Sequence, residues 1–180
     1  MTVEDLGGID RTRPVFKVIF DGVVGEVLEA GQGASGRVRD AALVLLSADS
    51  FGLASELISM STEYAKTREQ FGTAIGQFQS VKHELARLAT DIEPTRSLYW
   101  YAAHAFDHLP EDAERSAALA KSHITERAMR TARASVELHG GLGFTWECDV
   151  QMWYKRAMFN RAAFGTPDVL RSRIATLGGW

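Results

Sequence analysis

Arg68 and Phe71 set a permanently charged planar group and an aromatic ring three residues apart in the run Glu63-Tyr64-Ala65-Lys66-Thr67-Arg68-Glu69-Gln70-Phe71-Gly72. Such a pair suits a ligand that joins a phosphate to an aromatic base, because a guanidinium meets phosphate oxygens two at a time and a ring stacks on a base. A helix end with a surface arginine and a core phenylalanine has the same composition. Gly31-Gln32-Gly33-Ala34-Ser35-Gly36 matches the G-x-G-x-x-G turn of dinucleotide-binding units, but that unit needs a parallel strand after its helix, and here helical periodicity follows helical periodicity. It reads better as a strand-to-helix loop. His104 and His108 stand one helical turn apart with no acidic residue arranged between them for metal-assisted hydrolysis, so a cation-favouring helix end is the simpler account. No glutamate is followed three residues later by histidine, which excludes the di-iron centres common in bundles. Cys148 lacks the His or Asp pattern of a nucleophile and reads as structural.

The elements that position these residues follow from pattern. The 180 residues are 46% hydrophobic and 24% charged, enough apolar material for one sizeable core. A formal net charge of -3 with no long run of like charge argues against nucleic acid as a partner, and no apolar stretch is expected to span a bilayer. Met1-Thr2-Val3-Glu4-Asp5 lacks the basic-then-apolar pattern of a secretory signal, and a single cysteine cannot close an internal disulfide. A reducing cytoplasm is the expected compartment.

Val15 to Phe20 and Val23 to Leu28 are apolar runs separated by Asp21-Gly22, which predicts a hairpin that packs on the helices or joins a larger sheet. From Arg37 the apolar period lengthens to about 3.6, with Val38, Leu45, Gly52, Leu57 and Met60 in one long helix to about Arg68. A second helix is expected from about Gln77 to His108, interrupted at Pro94, and a third from Glu111 to His139, where Ala117, Ala118, Ala120, Ala128 and Ala132 permit close helix packing. Gly140-Gly141-Leu142-Gly143 ends it. Shorter helices follow around Asp149 to Ala163 and from Pro167 to Leu177, the last with Thr166 as N-cap. The expected fold is all-α, an up-down bundle of four to five helices over residues 37–180, preceded by a β-hairpin remnant over residues 1–36.

The Arg68 segment with Ile75, Phe78 and Gln79, then Leu138-His139-Gly140-Gly141-Leu142-Gly143-Phe144-Thr145-Trp146-Glu147, Lys155-Arg156 and Phe164-Gly165-Thr166, resembles the C-terminal helical domain of the acyl-CoA dehydrogenase family. The resemblance extends over about residues 7 to 180, the hairpin standing where the family's middle β-domain ends. It implies an FAD-dependent α,β-dehydrogenation of acyl-CoA thioesters in a homo- or hetero-oligomer, with an electron-transfer flavoprotein as acceptor. By the same resemblance, Arg68 holds the FAD pyrophosphate of a neighbouring subunit, Phe71 lies beside its ADP half, and Gln79 supplies a polar contact. Gly140 and Gly141 let backbone approach that FAD, and Thr166 meets a cofactor just after the catalytic position. Glu137 stands where many members have glutamine, and a carboxylate accepts but does not donate hydrogen bonds.

The chain departs from the family where the chemistry should be. Phe164 occupies the position of the usual glutamate base, and the alternative base and its neighbouring arginine fall on Ala42 and Leu43. Phenylalanine cannot accept a proton. Either another acid such as Asp49 serves, or the chain has no base and lends FAD contacts to a competent subunit; the second is favoured because three positions are apolar together. A structural oligomerisation module without FAD is the competing class. Lacking the family's N-terminal domain and most of its β-domain, the chain is not expected to retain FAD alone.

Overall fold

In a computed structural model of the chain, the described residues are 1–26, 31 and 33–179. Six α-helices dominate: α1 (Ala34–Thr67), α2 (Gln79–Ile92), α3 (Arg96–His108), α4 (Pro110–His139), α5 (Val150–Ala162) and α6 (Pro167–Leu177). α4 is the centre, in contact with α1, α2, α3, α5 and α6. The five alanines expected to allow close packing are at most 1% exposed. Pro94 interrupts the second helix as expected, with a short 3₁₀ turn, Glu93–Thr95, joining α2 to α3. Proline also opens α4 and α6, where its missing N–H costs no helical hydrogen bond.

The core-facing stripe of α1 differs from the expected one. Val38 and Leu45 are exposed, whereas Leu43, Leu46, Phe51, Leu53, Ala54 and Leu57 are buried. Serines share that stripe: Ser47 and Ser50 are buried and return their hydroxyls to the Leu43 and Leu46 carbonyls one turn back. With small polar residues on the packing face and leucines outside it, hydropathy alone misplaces the stripe. α1 is also long and apolar enough to cross a membrane by length and composition, contrary to the expectation that no stretch approaches that length. Its buried face is turned to α4, the ordinary setting of a core helix in a bundle.

The hairpin forms with a different partner. β2 (Phe16–Ile19) pairs antiparallel with β1 (Thr2–Asp5), Thr2 opposite Ile19 and Asp5 opposite Phe16, and not with residues 23–26 of the expected partner. Residues 23–26 lie outside any strand, while residues 27 and 28 and Gln32 of the glycine-rich run lie outside the described residues. Glu4 faces Lys17 across the pair with an ion pair of 3.6 Å, a favourable cross-strand charge arrangement. Neither strand packs on the helices as expected, for all eight strand residues are exposed.

What ties this segment to the bundle is Asp10. Its carboxylate, 2% exposed, accepts the Thr12 N–H and hydroxyl at 2.9 and 2.6 Å and the Arg156 Nε–H at 2.5 Å. Burial opposes its ionisation, but the bonds from Thr12 and Arg156 outweigh burial and lower its pKa below the ordinary 3.8. A carboxylate with a lowered folded pKa stabilises the fold above its unfolded pKa and loses that contribution as pH falls through the folded value. Acidification below about pH 4 is therefore expected to lower amide protection, relative to intrinsic exchange at the same pH, over residues 2–19 before protection in α1 or α4 falls. Asp10→Asn is expected to show the same local loss of protection already at neutral pH, measured by hydrogen–deuterium exchange.

Candidate functional site

Arg68 caps the C-terminal end of α1 in an extended conformation, its N–H donating to the Tyr64 carbonyl at 2.8 Å. The chain then makes a small hairpin that the sequence did not show, β3 (Glu69–Gln70) against β4 (Thr73–Ala74). Its two turn residues, Phe71 and Gly72, both have positive φ, 55° and 78°. That is the twist favoured in two-residue hairpins, and glycine supplies half of it without strain. The turn lifts Phe71 off the bundle: the residue is 93% exposed, its ring near-perpendicular to that of Phe78 with the centres 6.2 Å apart.

α4 ends beside this hairpin. Gly140 terminates the helix with φ 60°, a conformation that side chains resist. The Tyr64 ring stacks on His139 at 4.3 Å, and His139 Nδ1 lies 2.7 Å from the Ser135 carbonyl oxygen, so α1 and α4 are clamped at this end. Between them opens a groove of about 530 Å³ lined by Tyr64, Arg68, Ile75, His139, Gly140 and Gly141. Arg68 is exposed and, among the described residues, in no ion pair, while the space beyond the Gly140 and Gly141 Cβ positions is open. A free guanidinium, bare backbone and an adjacent exposed ring fit an anionic ligand with an aromatic portion, as FAD is.

The remaining expected contacts lie elsewhere. Gln79 is exposed in the first turn of α2 and does not line the groove. Glu137 is exposed, paired with Arg133 at 3.0 Å, and borders a neighbouring cleft with Phe144 and Tyr154. Thr166 is half-buried at the start of α6, where its side chain makes no capping bond. Ahead of it Phe164 is exposed in a left-handed conformation of φ 56°, followed by Gly165 at 109°. Asp49, the alternative base, is engaged by Arg13 at 2.8 Å, Arg156 at 3.3 Å and the Asn160 amide at 2.6 Å. Its two oxygens are thus taken up as acceptors between α1, α5 and the N-terminal segment. Leu43 is fully buried against Ala117, Ala118 and Leu170. His104 and His108 lie ring to ring at 4.8 Å, and the described residues contain no cluster of three metal-ligating groups. Cys148 is buried in the core.

Sequence reasoning missed Lys121. It is fully buried on α4, and its Nζ donates to the Arg161 carbonyl at 3.0 Å and to that of Gly165. Burial first, then the charge of Arg161, pushes its pKa from 10.5 down to about 8. The available signal was a charged residue in phase with the buried alanines, three after Ala118 and four after Ala117.

A bundle of this form, with a basic groove at the end of its two longest helices, is of the kind found in flavin-dependent dehydrogenases. The family profile described as Acyl-CoA dehydrogenase, C-terminal domain, matches residues 43–177, and the chain belongs to the acyl-CoA dehydrogenase family. It is 36% identical over 135 residues to acyl-CoA dehydrogenase IpdE2 of Mycobacterium tuberculosis, covering 74% of this chain and 41% of that protein. Among solved structures, the Tcur3481-Tcur3483 steroid ACAD superposes with a TM-score of 0.90 at 26% identity, over 99% of this chain and 48% of that one. PigA, solved with FAD and proline, superposes with a TM-score of 0.76 at 31% identity, over 83% of this chain and 39% of its own. The chain thus spans between about two fifths and half of these relatives.

The buried lysine gives a pH test. An unfolded lysine keeps its proton to about pH 10.4, whereas this one releases it near 8 in the fold, so the fold binds fewer protons between those values. Stability attributable to Lys121 therefore rises with pH across that window. The urea midpoint of the parent chain is expected to gain on that of Lys121→Met between about pH 7 and 9.5.

Proposed function

We propose that this chain is the helical part of an acyl-CoA dehydrogenase-like flavoprotein that lends FAD contacts to a site shared between subunits and has no catalytic base of its own. The observation that carries the proposal is the convergence of Arg68 with Gly140 and Gly141 on one groove beside the exposed Phe71. Arg68 would pair with the pyrophosphate, the glycine backbone would let it approach, and Phe71 would cover the ADP half. Thr166 cannot belong to the same contact patch. Lys121, which holds its turn, and His139, at the groove, are both on α4, separated by a rise of roughly 27 Å at about 1.5 Å per residue. One chain so arranged serves two cofactor sites, which supports a shared assembly.

FAD supplies the hydride acceptor for the β-carbon of the acyl-CoA. The α-proton needs a base, and at the family's position this chain presents the Phe164 ring, which neither accepts nor donates one. Asp49 is held by its ion pairs, and Ala42 and Leu43 carry no titratable group. A partner subunit, a homologue with its own base, would then perform the proton abstraction and pass electrons to an electron-transfer flavoprotein. We place this assembly in the cytoplasm, since Cys148 has no disulfide partner in the chain. A purely structural module that keeps the bundle and has lost FAD is the second reading, favoured by the loss of the base alone.

Reconstitution separates them. In a complex with a full-length family subunit, Arg68→Ala removes a charge-assisted contact worth about 1.5–3 kcal/mol and is expected to lower flavin affinity by about tenfold or more, read by flavin-to-protein ratio after dialysis. Unchanged retention supports the structural module. In the same complex Phe164→Glu is expected to raise dehydrogenation of a saturated acyl-CoA in any site that relies on this chain, because a positioned base contributes about 10² to 10⁴ in rate.

A further inference from the structure

We infer that Lys121 is the positioning residue of the 164–166 turn: its amine enters from α4, binds the carbonyl oxygens of Arg161 and Gly165, and thereby sets where Phe164 and Thr166 stand. The last carbonyls of a helix have no partner within the helix, and α5 ends at Ala162. Lysine supplies the missing donor from a different helix, placing a cation where the α5 dipole is negative. The turn that follows is one the backbone does not favour. Two successive residues have positive φ, and the first is phenylalanine, for which that region is strained. Such a conformation persists only where surrounding contacts over-determine it. Leu170 and Val169 fill the space where a Cβ on residue 165 would stand, and the lysine holds the Gly165 carbonyl.

The choice of lysine is itself informative. Its neighbours on the α4 stripe are Ala117, Ala118, Ile124 and Thr125, all buried, where an apolar side chain would avoid the desolvation of an amine. Among the described residues no carboxylate pairs with it, so its hydrogens go to backbone carbonyls and not to an ion pair. A side chain of methionine length fills the same volume and makes neither bond. The functional consequence rests on the reading that residue 164 faces the acyl group and Thr166 the cofactor. The positioning role does not, since it concerns the turn alone.

Hydrogen–deuterium exchange on the full 180-residue chain tests it without flavin. Lys121→Met is expected to raise exchange of the peptide covering residues 163–167 at least tenfold, with the α1 segment 43–57 unchanged. Lys121→Arg, whose guanidinium can reach the same carbonyls, is expected to restore protection to within about threefold of the parent. Equal exchange at the turn in Lys121→Met, or a rise that is uniform along the chain and not rescued by arginine, overturns the proposal. Should the methionine variant fail to fold, NMR of the lysine ¹⁵Nζ in the unsubstituted chain decides. A slowly exchanging amine with through-hydrogen-bond coupling to the Arg161 and Gly165 carbonyls supports the role, and a freely exchanging one overturns it. A chain that never takes up flavin still gives either answer, so failure here and failure of the flavin reading remain distinct.

Discussion

The close packing of α4 against its neighbours governs the rest of the molecule. Its inward positions are alanine, serine and threonine over most of its length, from Ala113 to Ser135, so backbones can approach and long helices can run side by side. Dispersion and apolar burial then accumulate over two helices of 34 and 30 residues. Larger residues enter from the partners, chiefly Leu53, Leu57 and Phe51 of α1 and Ile92 of α2. The arrangement resembles knobs supplied by one side and a smooth surface by the other, along a helix whose 30 residues reach widely separated points of the molecule.

Those points are where the chain leaves regular structure. At the C-terminal end, the Tyr64 and His139 stack fixes α1 to α4 and delivers Arg68 and Gly140 to one groove. One-third along α4, Lys121 pins the turn between α5 and α6. A third junction, built from Asp10, Asp49, Arg156 and Asn160, ties the N-terminal segment to α1 and α5 through charged hydrogen bonds. Charged groups thus mark the joints of a bundle whose interior is otherwise alanine, small hydroxyl residues and larger aliphatic side chains. The surface retains large exposed rings at Phe71, Phe144, Trp146 and Phe164, and Trp146 is flanked by Arg11 and Lys155 cations at 5.3 and 4.2 Å.

Much of the fold was legible because its boundaries are set locally. Pro94, Pro110 and Pro167 and the glycines after His139 determine where helices stop and start through the backbone alone, and each boundary fell within three residues of expectation. The buried face of α1 was not legible, since serine is buried there by bonding its own helix and leucine is left outside. Strand pairing failed for a related reason. Adjacent apolar runs and a turn signal favour the nearest partner, but β2 pairs with Thr2–Asp5 instead, across a loop that Asp10 fastens to Arg156, 146 residues away.

The residue types at the groove, Arg68, Phe71 and the glycine pair, and the phenylalanine at position 164, were determined by the sequence itself, because chemistry belongs to the side chain wherever it is placed. Only the tertiary structure decided which of them meet. Arg68 and Gly140 are 72 positions apart in the chain and share a groove, whereas Glu137 and Gly140 are three apart and face different clefts. The direction in which a side chain leaves its helix, and the helix packed against it, fix such meetings, and neither is written in local spacing. Lys121 shows the same limit: its charge is plain in the sequence, but its burial and its hold on Gly165 exist only once α4, α5 and α6 have come together.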